Sequence, residues 1–202
     1  MNQSSVAPRP VSAEVVHANQ NRKFGIWLFL SSELLIFSGL IGAFVLTRRA
    51  EFVAGGEWFH ATTFSTALVS FNTFVLLASS LFVVLGIEAI QRNDRAKLQM
   101  WLLLTTVLGI IFLGGQVVEY SSLFAEGHKF GPDPFGTAFF TLTGIHGLHV
   151  FVGVIWCLIT WAVSRRGTFD SNNYTTIEIF GLYWHFVDLI WVIIFTVVYL
   201  TN

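Results

Sequence analysis

The sequence predicts an all-α integral membrane protein, a bundle of five transmembrane helices without a soluble domain. Three observations predict it. Five long apolar segments each hold at least the roughly 20 residues that a helix needs to cross a bilayer. Charged residues make up 11% of the 202 residues, less than half of the roughly 25% usual in soluble domains. The pieces between the apolar segments are short and polar. Backbone inside hydrocarbon must satisfy its own hydrogen bonds, so each segment reads as helix rather than strand.

Taken in order, residues 1–22 form a polar N-terminal tail, with Pro8, Pro10 and several Asn, Gln and Ser. They lack the apolar run of a cleaved signal peptide and read as a short disordered or surface-lying tail. Residues 23–202 form the transmembrane domain. The predicted spans are Phe24–Leu46, Leu68–Ile90, Leu98–Tyr120, Ala138–Val163 and Ile177–Leu200. Gly55-Gly56 breaks the chain after the first span. Arg92 to Lys97 is a tight charged turn. Gly127 to Phe135, with Gly131, Pro132 and Pro134, must be a loop. The net charge of −1 gives no argument for a nucleic-acid partner. The single cysteine, Cys157, sits in an apolar run, where it acts as a small hydrophobic filler and makes no internal disulfide.

Orientation follows from the distribution of basic residues. One side carries Arg9, Arg22, Lys23, Arg92, Arg95, Lys97, Arg165 and Arg166; the other carries Arg48, Arg49 and Lys129. The N-terminus is therefore expected in the cytoplasm and the C-terminus outside.

Ionisable groups deep in a bilayer cost roughly 2.5–3.5 kcal/mol each on insertion scales and need a reason. At 1.5 Å per residue, Glu33 lies about 14 Å into the first span. His146 and His149 lie about 12 and 16 Å into the fourth, and His185 and Asp188 about 12 and 16 Å into the fifth. All five fall near the midplane of a roughly 30 Å core. His146 and His149 share a helix face, as do His185 and Asp188. Gln116 and Glu119 share a face near the outer end of the third span. Three readings compete at this point. Polar side chains pair across helices as glue; Glu33 and the histidines form a proton or ion path; or two histidines and a carboxylate hold a metal. An autonomous transporter and an intramembrane metalloenzyme are the corresponding function classes.

Other features read as structural. Ser38-x-x-x-Gly42 and Gly39-x-x-x-Ala43 permit close helix approach. Gly109, Gly114 and Gly115 lighten one stretch of the third span. Trp27, Trp101, Trp184 and Trp191 are read as partly interfacial and partly packing residues. Glu88 and Glu178, near span ends, are read as solvated charges.

Four stretches resemble a known family. Thr143-Gly144-Ile145-His146-Gly147-Leu148-His149-Val150 is similar to its T-G-F-H-G-L-H-V. Tyr183 to Trp191 (YWHFVDLIW) is similar to its Y-W-H-F-V-D-V-V-W. Gly115 to Tyr120 (GQVVEY) is similar to G-Q-x-x-E-Y, and Ser32 to Phe37 (SELLIF) to S-E-x-x-F-F. The family is subunit III of the haem–copper cytochrome c and quinol oxidases, and the resemblance runs from about Asn21 to Leu200.

The resemblance implies a subunit that binds no haem, copper or other metal and has no catalytic residue. Haem and copper are expected in partner subunits. It implies packing beside subunits I and II, bound phospholipid in a cleft between helices, support of proton uptake, and a bacterial plasma-membrane location, with a respiratory supercomplex as a further partner. Glu33 matches the intramembrane carboxyl that hydrophobic carbodiimides label, which requires a protonated carboxyl in an apolar setting. His146, His149, His185, Asp188, Gln116 and Glu119 fall on the family's polar network. The metal reading recedes, and interhelical glue with assistance to proton supply is the expectation. G-Q-x-x-E-Y leans toward the cytochrome c branch; a quinol oxidase subunit and a nitric oxide reductase accessory subunit are the alternatives. Longer members have seven spans, and this chain begins at the third, so half of the lipid cleft is absent or supplied by another subunit.

Overall fold

A computed structural model describes residues 13–55, 63–131 and 133–201. Five helices follow in order: α1 (Ala13–Val53), α2 (Thr63–Gln91), α3 (Arg95–Ala125), α4 (Pro134–Ser164) and α5 (Thr175–Phe195). A π-helical turn, Thr196–Leu200, continues α5. Among the described residues there is no strand. All five helices are long and apolar enough to cross a membrane.

The helices extend beyond the expected spans, most of all at the first. Residues 13–22, expected in a tail, are helical and continuous with α1, so no break falls at residue 22. The stretch from Ala13 to Phe24 holds no proline or glycine, and nothing there stops a helix that the membrane has already nucleated. Residues 1–12 and the break at Gly56 lie outside the described residues. The charged turn is shorter than expected. Asn93 takes a left-handed conformation (φ 58°), and Asp94 caps α3 by accepting from the Lys97 amide at 3.1 Å. The amide of Lys97 and its ammonium, 3.0 Å away, hold the Asp94 carboxyl below its ordinary value of 3.8. Pro134 opens α4 at a position where no amide hydrogen is needed, and Asp133 caps it through the Phe135 amide at 3.1 Å.

In the plane of the bundle α2 packs on α3, α3 on α4, and α4 on α1, while α5 packs on α1, α2 and α4. α1 is the least buried span. It is held along a narrow seam of Leu30, Phe37 and Phe44, seven residues apart, the spacing that keeps one line of a helix against its neighbours. At its two ends polar clasps tie it to α5. Lys23 pairs with Glu178 at 2.8 Å, so Glu178 is ion-paired rather than simply solvated. The Arg48 guanidinium donates to the Thr201 carbonyl (2.6 Å) and hydroxyl (3.0 Å).

The centre is Trp184, with no exposed surface. Two glycines make room for it. A Cβ at Gly153 would lie 2.6 Å from its ring, and one at Gly109 would lie 3.1 Å from it and 2.7 Å from Val154. One indole on α5 thereby closes against α3 and α4 and donates to α2 at Ser79.

Candidate functional site: a polar network at membrane depth

Three groups of polar residues are buried in the bundle. The first joins α1 and α4. Glu33 Oε2 lies 3.2 Å from His149 Nε2, and His149 Nδ1 lies 2.8 Å from the Ile145 carbonyl. A carbonyl only accepts, so Nδ1 carries the hydrogen. The contact at Nε2 is then with the Glu33 carboxyl. Glu33 and His149 thus form a carboxyl–imidazole pair in a mostly buried setting, with Phe37 edge-on to the imidazole at 5.1 Å. Tyr183 donates to the His149 carbonyl at 2.9 Å, bringing α5 to the same place.

The second group is a seam between α2 and α5. Trp184 Nε1 donates to Ser79 Oγ at 2.9 Å, and Trp191 Nε1 donates to Thr73 Oγ1 at 2.9 Å. Each hydroxyl passes its own hydrogen to its own helix, Ser79 to Leu76 O and Thr73 to Val69 O. His185 Nδ1 meets Ser80 Oγ at 2.6 Å, and Asp188 lies near the same serine. Positions 184, 188 and 191 share one face of α5, which explains why these groups meet α2 together.

The third group lies toward the far end of α3. Gln116 Nε2 donates to Glu119 Oε2 at 2.8 Å, and Tyr199 donates to Glu119 Oε1. Tyr199 stands in the π-helical turn that follows α5, whose extra residue per turn changes which side chains face inward. Tyr120 and Thr143 meet at 2.8 Å. Thr143 already donates to the Phe139 carbonyl, so Tyr120 is the donor.

Of the predicted residues, Glu33 and His149 come together, as do His185 and Asp188 through Ser80, and Gln116 and Glu119. His146 does not join its neighbour on the helix. It is fully buried, stacked on Trp191 with ring centres 4.9 Å apart. Trp184 and Trp191, expected in part at the interface, are wholly interior donors. Among the described residues no three His, Cys, Asp or Glu side chains are grouped as a metal would require.

Comparison with known proteins shows the family. A family model described as cytochrome c oxidase subunit III matches residues 12–202. The chain belongs to this family. The cytochrome c oxidase subunit 3 of Thermostichus vulcanus is 34% identical over 203 residues, covering 98% of both chains. That of Bacillus subtilis (strain 168) is 37% identical over 195 residues, covering 95% of this chain and 92% of the relative. A probable quinol oxidase subunit 3 of Staphylococcus epidermidis is 34% identical over 186 residues, covering 91% and 90%. The chain is thus a multi-pass plasma-membrane protein of the bacterial type and a subunit III of an oxidase complex.

Sequence reasoning on the subunit III motifs missed Ser79, Ser80, Thr73 and Tyr199. A usable signal was present for the first three. Hydroxyls at positions 73, 79 and 80 recur on one side of α2, as tryptophans do on α5, and buried indoles require an acceptor. Tyr199 carried no such signal, because its inward direction depends on the π-helical turn.

Proposed function

We propose that this chain is the subunit III of a terminal oxidase that draws electrons from cytochrome c and reduces oxygen to water in its partner subunits. The chain itself carries no catalytic centre. It packs beside subunits I and II, where haem and copper reside, with its N-terminus in the cytoplasm and its C-terminus outside. Basic residues on the side of the N-terminus, the α2–α3 turn and the α4–α5 loop support that orientation.

The observation that carries the reading is the Glu33–His149 pair, a carboxyl–imidazole contact between two helices at membrane depth. It sits in a bundle where Trp184, Trp191 and Tyr199 also make hydrogen bonds across helices. Such a frame braces subunit I and holds a titratable group in apolar surroundings, which supports proton uptake. Phospholipid is held on the open side of α1. A groove of about 340 Å³ between α1 and α5 is lined by Trp27, Leu30, Leu34, Leu182 and Phe186, suited to an acyl chain, and the Lys23–Glu178 ion pair clasps the same two helices.

Quinol is the second donor reading, supported by the Staphylococcus relative, whose identity equals that of the Thermostichus protein. Turnover of the purified complex separates the two. Oxidation of reduced cytochrome c supports the first reading; oxidation of quinol alone replaces it. The bracing role is tested by turnover lifetime. A complex stripped of this chain is expected to start at a normal rate and inactivate within fewer turnovers. An unchanged lifetime removes the role.

A further inference from the structure

Among the described residues, four buried side-chain atoms find no hydrogen-bond partner: both ring nitrogens of His146, Gln116 Oε1 and Asp188 Oδ1. His146 is the most demanding. An imidazole always carries at least one N–H, and this one has no exposed surface. Its neighbours offer no acceptor. Phe112 and Phe37 meet it edge-on, with ring centres 6.0 and 6.4 Å away. The indole stacked on it, Trp191, sends its own hydrogen to Thr73. The nearest carboxyl on α1, Glu33, is engaged by His149. Asp188 stands on the α5 face that meets α2.

Gln116 has the complementary need. Its amide nitrogen donates to Glu119, which leaves the amide oxygen as a buried acceptor. Its place relative to His146 is bracketed from both sides. On α3, Phe112 stands one turn before Gln116 and Tyr120 one turn after. On α4, Phe112 is met by His146 and Tyr120 by Thr143. Gln116 therefore lies in the interhelical layer between these two contacts, level with the turn from Thr143 to His146. A donor and an acceptor, both cut off from solvent and unpartnered, face the same layer between the same two helices.

We propose that an ordered water molecule is bound between α3 and α4, accepting from the His146 imidazole and donating to Gln116 Oε1. Buried waters hold their place through two to four such partners, and an unpaired buried donor or acceptor would otherwise carry a large desolvation penalty. The bound water extends the Glu119 group to the middle of the bundle. Tyr199, Glu119, Gln116, water and His146 then form one chain of hydrogen bonds joining α3, α4 and the end of α5. The proposal concerns this chain alone and does not depend on the electron donor or on the bracing role.

The test is a map of the intact oxidase complex by cryo-electron microscopy, at a resolution where ordered water is visible elsewhere in the protein. A peak within about 2.6–3.2 Å of both a His146 nitrogen and Gln116 Oε1, lost in His146→Phe, is the expected result. A map with ordered water in other places and none touching both atoms overturns the proposal. A double-mutant cycle gives a second measurement on the temperature at which the chain is released from the complex. If one water serves both residues, His146→Phe with Gln116→Met is no worse than the worse single variant. Additive losses overturn the shared site.

Discussion

Gly153→Ala gives the sharpest test of how the bundle closes. A methyl group at this position would sit 2.6 and 2.8 Å from two ring carbons of Trp184 and 3.1 Å from the Tyr183 ring, distances well inside van der Waals contact. Neither ring is a flexible end that swings aside. Trp184 is also closed in by Gly109 and anchored to Ser79 by its N–H. The helices must therefore separate locally, and overpacking of this kind costs about 1–3 kcal/mol, a factor of roughly 5 to 150 in an equilibrium constant. Gly114→Ala is the matched control. It adds the same methyl group to a membrane helix where nothing lies within 4 Å. The assay heats the detergent-purified complex and follows release of this chain. Gly153→Ala should be released well below the wild-type temperature, and Gly114→Ala at about the wild-type temperature. Equal behaviour of the two variants would refute the argument that Trp184 is wedged against α4.

Other predictions follow from the same contacts. Ser79→Ala leaves the Trp184 N–H without an acceptor and should destabilise the chain by about 0.6 kcal/mol, up to roughly 1.7, as interhelical hydrogen bonds in membranes do; the same release assay reads it. Tyr199→Phe removes one of two donors to the buried Glu119 carboxyl and should cost roughly 1–3 kcal/mol. A hydrophobic carbodiimide should label the chain at Glu33. Glu33→Gln should abolish the label yet preserve assembly, because its amide still donates to His149 Nε2, whereas Glu33→Leu should weaken assembly. The cap on α3 should fail in acid. The Asp94 carboxyl is held below its ordinary value by Lys97, so its stabilisation is full above about 3.8 and is lost as pH falls through the lower folded value. Protection of the amides in the first turn of α3, taken relative to their intrinsic exchange rate at each pH, should therefore fall in acid, and Asp94→Ala should remove that pH dependence.

Much of this architecture was legible because the membrane leaves so few options. A run of 20 apolar residues has only one way to satisfy its backbone in lipid, so the five spans and their order could be read directly. Their ends could not. α1 runs on to Ala13 because its polar start contains good helix formers and no breaker, a local property that hydropathy does not report. The polar network was legible one residue at a time. Depth singled out Glu33 and His149 without showing that they meet, since that depends on α1 lying against α4. His146 has the same residue type, helix face and depth as His149, yet it packs among aromatic rings. The difference lies in what the neighbouring helices present, Glu33 in one case and Trp191 with Phe112 in the other. Gly109 read simply as a small residue in the third span; its purpose appears only once Trp184 of α5 is seen filling the space.

The measurement that bears most directly on the central claim is purification of this chain from its native membrane through a C-terminal tag in mild detergent, with a reduced-minus-oxidised visible spectrum of what accompanies it. The account predicts haem bands and a stoichiometric haem–copper subunit I in the same preparation. A stable, colourless chain that comes out alone, and that conducts protons by itself in liposomes, would contradict it.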